Sequence, residues 1–309
     1  MKNILITGST GFVGSNIGQY LKSQYRLLSL DLYKEHIDIY NEFYTWQQLD
    51  FISWSEIDAV IHLAGKAHDT KNKNDAQIYF DVNTKLTQRI FDYFLQSNAK
   101  QFFFFSSVKA VADTVEGDYL TEDCVPKPIG NYGESKLKAE EYIQSKSWED
   151  KKVYIFRPCM IHGKGNKGNL NLLYRLVNTG IPYPLGAFEN KRSFLNIQNL
   201  SYIVEHFLLQ NPESGVYHLA DDEPVSTNKL IELIAFSKNK KARIWKINCS
   251  LVTAMAKIGT FCKLPFNSER LQKLTENYVV SNQKLKSAIG AERLPVDVEN
   301  GFLSTLKSF

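Results

Sequence analysis

The stretch at residues 2–14, KNILITGSTGFVG, restricts the fold of this chain more than any other. Ile4, Leu5 and Ile6 form a short apolar run without polar alternation, the pattern of a parallel strand buried on both faces, and the run ends at Thr7-Gly8. Glycines follow at positions 8, 11 and 14. After such a strand the chain must turn tightly, admit a pyrophosphate to its backbone and start a helix packed close to the sheet, and each step is easiest without a Cβ. The helix is predicted over 15–23, and its free N–H groups and dipole suit a phosphate. The candidate dinucleotide cradle is therefore Gly8, Thr10, Gly11, Phe12, Val13 and Gly14. Asp31 closes the next apolar run, LLSLD, 17 residues beyond Gly14. That is near the roughly 20 expected of a carboxylate that hydrogen-bonds the adenosine ribose 2′-OH. A carboxylate would repel a 2′-phosphate, so NAD is favoured over NADP, with Lys34 nearby as the counter-argument. The alternative for Asp31 is a solvated residue in a strand-to-helix turn.

A chain of 309 residues has room for one large or two modest domains. The net charge of +4, from 37 basic against 33 acidic residues, gathers into no long basic arm, so no nucleic-acid partner is expected. The mild positive balance suits a polyanionic small molecule. A core strand at the N-terminus leaves no room for a signal peptide, and no apolar run approaches the roughly 18 residues that span a bilayer. The expectation is a cytoplasmic enzyme with no membrane partner. Cys124, Cys159, Cys249 and Cys262 show neither CxxC nor Cys/His metal spacing, so no metal is expected and the thiols read as structural.

Along the chain, 36–51 is polar and aromatic; Asp50-Phe51 either caps a short third strand beside the adenine or lies in a loop. DAVIHLAG at 58–65 reads as a buried strand ending in small residues. A cofactor lying across strand carboxyl ends needs such residues, which makes Ala64 and Gly65, with Leu63 before them, candidate groove residues; His62 reads as structural. Residues 75–98 form a long predicted helix with Ile78, Val82, Leu86, Ile90 and Phe94 on one stripe. QFFFFSSV at 101–108 is the next buried strand, with two serines at its end.

A second feature is Tyr132-Gly133-Glu134-Ser135-Lys136, which opens a helix. Tyr132 and Lys136, four apart, share one helix face. A phenol with its ordinary pKa near 10 is a poor base at neutral pH, and a nearby ammonium together with a nicotinamide's positive charge would stabilise the phenolate. Ser107, at the end of the preceding strand, could hydrogen-bond a substrate oxygen that alternates between alcohol and ketone. YxxxK alone is a common accident; with the glycine loop and the strand-end serine in this chain order it is not.

The segments TGSTGFVG, HLAG, FFSSVKAV, YGESKLKAE and RPCMIHGKG together resemble the extended short-chain dehydrogenase/reductases, specifically the NAD-dependent epimerase/dehydratase family acting on nucleotide sugars. The resemblance covers nearly the whole chain. It implies a catalytic Ser107, Tyr132 and Lys136, with Lys136 also on the nicotinamide ribose and Pro158 beside the cofactor. Where 4,6-dehydratases of the family carry an Asp-Glu pair after the strand-end Ser/Thr, this chain has Val108 and Lys109, which argues against dehydration. Ala112 replaces a usual glycine, and His162 replaces the tyrosine of RPxxVYG. Cys159 and His162 are a remote candidate pair for epimerisation at C3 or C5, against a structural thiol and a strand-end histidine.

Beyond Gly163 the texture becomes glycine- and asparagine-rich and then proline-punctuated, which suggests departure from the sheet. The expected architecture is α/β: a Rossmann-type doubly wound parallel sheet over 1–163, with returning segments near 193–220, and a smaller mixed α/β substrate domain over 164–309. By resemblance, Asn169 and Leu170 hold the nucleotide, Arg192 binds the substrate diphosphate with its multi-donor fork, and Arg270 adds a second phosphate contact. SFLNI and 215–220 read as strands, and 226–236 as a helix capped by Ser226. The branch resembled modifies UDP-N-acetylhexosamines for surface polysaccharides. The leading expectation is a UDP-sugar 4-epimerase, followed by a 4-ketoreductase consuming reduced cofactor, and then a catalytically silent NAD-binding sensor. The resemblance further implies a homodimer built on helices 75–98 and 133–146.

Overall fold

The strands in chain order are β1 Asn3–Thr7, β2 Arg26–Asp31, β3 Glu42–Thr45, β4 Ala59–His62, β5 Gln101–Phe105, β6 Lys152–Pro158, β7 Met160–His162, β8 Phe194–Asn196 and β9 Gly215–Leu219. The computed structural model describes residues 1–35, 38–66, 76–148, 150–166, 169–264 and 266–309, with the Asn169 side chain also outside the description. Seven strands form one sheet in the order β3-β2-β1-β4-β5-β6-β9, every neighbouring pair parallel. The strand order reverses between β1 and β4, which opens a crevice at their carboxyl ends, where an open α/β sheet binds its ligand.

The apolar runs lack alternation because both sheet faces are covered. Ile4, Ile6, Ile61, Phe103 and Phe156 pack on one face with Leu200, Val204 and Phe207, whereas Leu5, Val60, Phe102 and Phe104 pack on the other with Ile90, Phe94 and Ile143. The helices supplying these layers are α1 Phe12–Leu21, α3 Leu86–Gln96, α4 Asn131–Gln144 and α6 Ile197–Gln210; α2 Ala76–Tyr79 precedes α3, and α5 Asn169–Thr179 packs in the second half of the chain. Phe102, Phe103 and Phe104 are fully buried, at about 1.5–3 kcal/mol for each such side chain.

Helix α1 starts at Phe12 rather than at the expected 15, because Gly11 serves as its N-cap. The helix expected over 75–98 has a different internal geometry. Its first position lies outside the described residues, and a π-helical turn at Phe80–Lys85 separates α2 from α3. That turn displaces the buried stripe: Val82 and Leu86 are only half-buried, and Asn83, Thr84 and Thr87 face inward instead. The third strand is Glu42–Thr45, and Asp50 and Phe51 follow it in a 3-10 turn, Trp46–Phe51.

The rest of the chain comprises α7 Thr227–Ser237, α8 Cys249–Phe261, α9 Ser268–Thr275, α10 Gln283–Ile289 and α11 Val298–Leu306. Ser226 caps α7, its hydroxyl accepting from Lys229 N at 3.0 Å. Leu170, Tyr174, Phe194, Leu230, Ile234 and Phe302 form one core here; Tyr183, Leu185, Ile231, Val252, Ala256 and Leu271 form a second. The segment 215–220 returns to the main sheet as edge strand β9. Among the described residues no helix is long and apolar enough to cross a membrane.

Candidate active site

The cradle after β1 needs its glycines. Gly8 has φ +66°, and a Cβ there would lie 2.7 Å from Ala64 N; a Cβ on Gly14 would lie 2.4 Å from the Gly8 carbonyl oxygen. Gly11 contributes no capping side chain, so the first N–H groups of α1 are left for a ligand. The side chains of Phe12 and Val13 pack toward the core, which leaves their backbone as the ligand-facing part. Asp31, at the end of β2, splints the loop: one carboxylate oxygen accepts from Thr10 N at 2.8 Å and Thr10 Oγ1 at 2.9 Å, while the other accepts from Leu32 N at 2.7 Å. Asp50 accepts a hydrogen bond from Tyr93 on α3, and Phe51 is 77% exposed. Those contacts tie Asp50 to α3 and not to the glycine loop.

Across the crevice, α4 begins at Asn131 behind Gly130. A Cβ on Gly133 would lie 2.3 Å from the Lys109 carbonyl oxygen, so the first turn of α4 sits directly on the short turn Val108–Ala110 that Ser107 caps. This approach joins Tyr132 to Ser107. Burial pushes the Tyr132 phenol up, the hydrogen bond with Ser107 pulls it down, and the neighbouring Tyr79 adds a smaller upward push. Lys136, one turn on, is buried and donates from Nζ to the Phe105 carbonyl at 2.8 Å. Burial lowers it from 10.5 to about 8, with Glu140 opposing. The Lys136 ammonium is thus docked on the end of β5. Gly65 lies beside it, since a Cβ there would be 3.0 Å from Lys136 Nζ and 3.0 Å from Asn83 Oδ1.

Several supporting residues had no distinct signal in the sequence. Asn83, fully buried in the π turn, donates to the Ser135 hydroxyl at 3.0 Å and the Lys66 carbonyl at 3.1 Å and accepts from Lys66 N at 2.8 Å. It thereby fixes the strand end that carries Leu63, Ala64 and Gly65 against α4; the one available clue was an amide inside an apolar helical pattern. Glu140 shares the face of Tyr132 and Lys136 and receives Arg157 through Nε at 3.1 Å and Nη2 at 2.5 Å, together with the Ser106 hydroxyl. His62 is structural, as expected: it bridges Thr7 Oγ1 at 2.7 Å and Thr87 Oγ1 at 2.9 Å, and burial drops it to about 3.

The remaining candidates are spread along the second half. Pro158 ends β6, buried beside Cys159. Burial pushes the Cys159 thiol well above its ordinary range. His162 lies flat on Phe302 with ring centroids 4.0 Å apart, and its Nδ1 meets Thr305 Oγ1 at 2.9 Å. His162 Nε2 lies 3.6 Å from the Asp221 carboxylate, and both Cys159 and His162 are buried. Ala112 offers its carbonyl to the Tyr278 hydroxyl at 2.8 Å.

Leu170 and Arg192 line one cavity of about 760 Å³, with Met160, Tyr183, Thr227 and Lys273 among its other walls. Arg192 donates to the Lys273 carbonyl at 3.0 Å and lies 3.8 Å from the Glu276 carboxylate, which aims its guanidinium. Asn169 opens α5, and its side chain lies outside the described residues. Arg270 is exposed on α9 and is not among the residues lining that cavity. A second cavity, about 790 Å³, is lined by Glu189, Lys191, Ser226 and Lys229 among others. Ser107, Tyr132 and Lys136 are not among the residues lining either cavity.

Known proteins resemble this chain over nearly its whole length. A UDP-glucose 4-epimerase of Vibrio cholerae is 30% identical over all of this chain and 95% of its own length. An N-acetyl-alpha-D-glucosaminyl-diphospho-ditrans,octacis-undecaprenol 4-epimerase of Escherichia coli O157:H7 is 26% identical over 92% of this chain and 84% of its own. The fold matches a crystal structure of UDP-glucuronic acid 4-epimerase from Bacillus cereus in complex with NAD, at TM-score 0.75 and 18% identity over 99% and 98% of the two chains. A profile of the NAD dependent epimerase/dehydratase family matches residues 4–220. With the glycine cradle, Ser107, Tyr132 and Lys136 in place inside that match, the chain belongs to the NAD dependent epimerase/dehydratase family, as an NAD-dependent enzyme of the nucleotide-sugar epimerase/dehydratase type.

Proposed function

We propose that the protein is a 4-epimerase of a UDP-hexose or UDP-N-acetylhexosamine, acting through a 4-keto intermediate. The observation that carries this reading is the hydrogen-bonded Ser107–Tyr132 pair above buried Lys136, in a chain with Val108 and Lys109 where a dehydratase needs its acid and base. NAD, when bound, would supply the hydride acceptor and donor for C4 chemistry. Tyr132 Oη takes the 4-OH proton and gives it back, and Ser107 Oγ holds the same oxygen as alcohol and as ketone. The phenol rests high in the free protein, so its ionisation is coupled to the arrival of positive charge in the crevice. Lys136 helps to hold that charge balance and, with the Gly8–Gly14 loop, Asp31, Leu63, Ala64, Gly65 and Pro158, forms the proposed cofactor site. Leu170 and Arg192 are the proposed substrate contacts in the smaller C-terminal domain. The carboxylate of Asp31 favours retained NAD, and so an epimerase over a 4-ketoreductase. The wider role proposed is surface polysaccharide biosynthesis in the cytoplasm, as a homodimer packed through α2, α3 and α4.

A second reading concerns the sugar carrier and rests on the cavity beside Arg192. Its walls are mainly leucine and other apolar side chains. That lining fits a diphosphate flanked by hydrocarbon, the chemistry named for the Escherichia coli relative. Purified enzyme offered each carrier separately decides between them. A Tyr132→Phe variant that kept full activity would sink both readings.

A further inference from the structure

We infer that helix α8 and the mouth of the neighbouring cavity form a face that docks on an anionic lipid bilayer. The inference does not depend on the reaction catalysed. Helix α8 carries apolar residues on two faces: it buries Val252, Ala256 and Gly259, while Leu251 (56%), Met255 (55%), Ile258 (61%) and Phe261 (91%) remain exposed. The exposed set recurs at i, i+4, i+7 and i+10, one continuous outward stripe on a helix about 20 Å long. The apolar surface does not stop at the helix. Leu172, Met255 and Leu274 are exposed and also line the cavity of about 760 Å³, so the stripe runs into an apolar opening.

Charge identifies the occupant. The segment 236–273 carries nine Lys and Arg (Lys238, Lys240, Lys241, Arg243, Lys246, Lys257, Lys263, Arg270 and Lys273) against one acid, Glu269. Its net charge is +8 in a chain of +4, so the other residues carry 28 basic against 32 acidic groups, a net −4. The absence of a long basic arm in the sequence had concealed this asymmetry. All nine basic residues are exposed, and Lys257 and Lys263 flank the stripe itself. An apolar stripe edged by lysines fits a bilayer interface, which takes apolar side chains about 5–10 Å deep while anionic headgroups attract the cations. A second copy of the same face would bring the lysines that edge the stripe, and the excess positive charge of this segment, against their own kind, and a nucleic acid would leave the stripe wet. The expectation of no membrane partner rested on the lack of spanning segments and does not bear on docking of this kind.

The test is co-sedimentation of the full chain with vesicles of phosphatidylcholine alone or mixed 3:1 with phosphatidylglycerol, at low and high salt. The protein is expected to pellet with the anionic vesicles at low salt and to be released by salt. Lys257→Gln/Lys263→Gln should weaken binding on the order of thirtyfold, at about 1 kcal/mol per lysine near the surface. Ile258→Glu/Phe261→Glu should abolish it while leaving the far-ultraviolet spectrum, the melting temperature and turnover of soluble UDP-sugar unchanged. Equal behaviour on neutral and anionic vesicles would overturn the inference, as would pelleting that survives the glutamate pair. A drop in molar mass of the glutamate variant in light scattering would also overturn it, because the stripe would then be covered by a second copy.

Discussion

Replacing Glu140 with alanine should destabilise the protein strongly and also alter Lys136. Glu140 and Arg157 are 1% and 5% exposed, and their pairing has three contacts, at 3.1, 3.1 and 2.5 Å, with the Ser106 hydroxyl as a further donor. Removing one partner of such a pair strands a buried charge, at about 3–5 kcal/mol. Unfolding entropy of about 2.1 cal/mol/K per residue over 309 residues gives about 0.65 kcal/mol/K, so the melting temperature should fall by about 5–8 °C. Glu140→Leu/Arg157→Met, which removes both charges and keeps apolar volume, should recover most of that loss. Glu140 also holds the Lys136 pKa up against burial, so the alkaline limb of the activity profile of Glu140→Ala should move to lower pH. Differential scanning calorimetry of the wild type, the single variant and the double variant reads the first effect, and a pH series of initial rates reads the second. A fall of less than 2 °C, or a double variant no more stable than Glu140→Ala, would refute the assignment of the pair as a buried support of the catalytic helix.

Gly14→Ala places a methyl group 2.4 Å from the Gly8 carbonyl and should weaken NAD binding roughly 10- to 100-fold, read by calorimetric titration with a normal circular dichroism spectrum as control. Asp31→Ser loses the two Thr10 hydrogen bonds and the carboxylate, so NAD affinity should fall about tenfold while the preference for NAD over NADP shrinks; competitive binding of the two nucleotides measures both. Lys136 falls from 10.5 unfolded to about 8 folded, so below pH 8 its buried charge costs stability, and the cost is relieved as pH rises from 8 to 10.5. Denaturant titrations should therefore show wild type gaining on Lys136→Met across that window and holding level below it.

The sequence exposed those parts of the molecule whose physics is local. Ile4-Leu5-Ile6 and Phe102–Phe104 announced doubly covered strands because every position is apolar, Gly8 and Gly14 marked backbone contacts that no side chain fits, and Ser226 marked a helix start. Glu42–Thr45 was hidden because an edge strand half-exposed at all four positions carries no burial pattern, and so Asp50-Phe51 stood in for it. The π turn at Phe80–Lys85 was hidden for another reason: a one-residue shift in helix phase leaves the periodicity nearly intact and changes which residues face inward. Longer-range partnerships were illegible in principle. The Asn83–Ser135 bond, the Glu140–Arg157 pair and the His162–Phe302 stack each join residues whose proximity is set by sheet order. In the same way Tyr132 and Lys136 were identifiable from spacing, while the docking of Lys136 on the Phe105 carbonyl required the packed helix.

The central claim is a 4-epimerase with internal hydride return, and the direct measurement is made on protein purified without added cofactor. One portion is denatured and any released dinucleotide identified; the other is incubated with UDP-N-acetylglucosamine and followed for UDP-N-acetylgalactosamine. Released NAD together with interconversion that needs no added nucleotide is the expected result. An empty protein that stays inactive until it receives reduced cofactor and a 4-keto sugar would contradict the claim and make the enzyme a reductase.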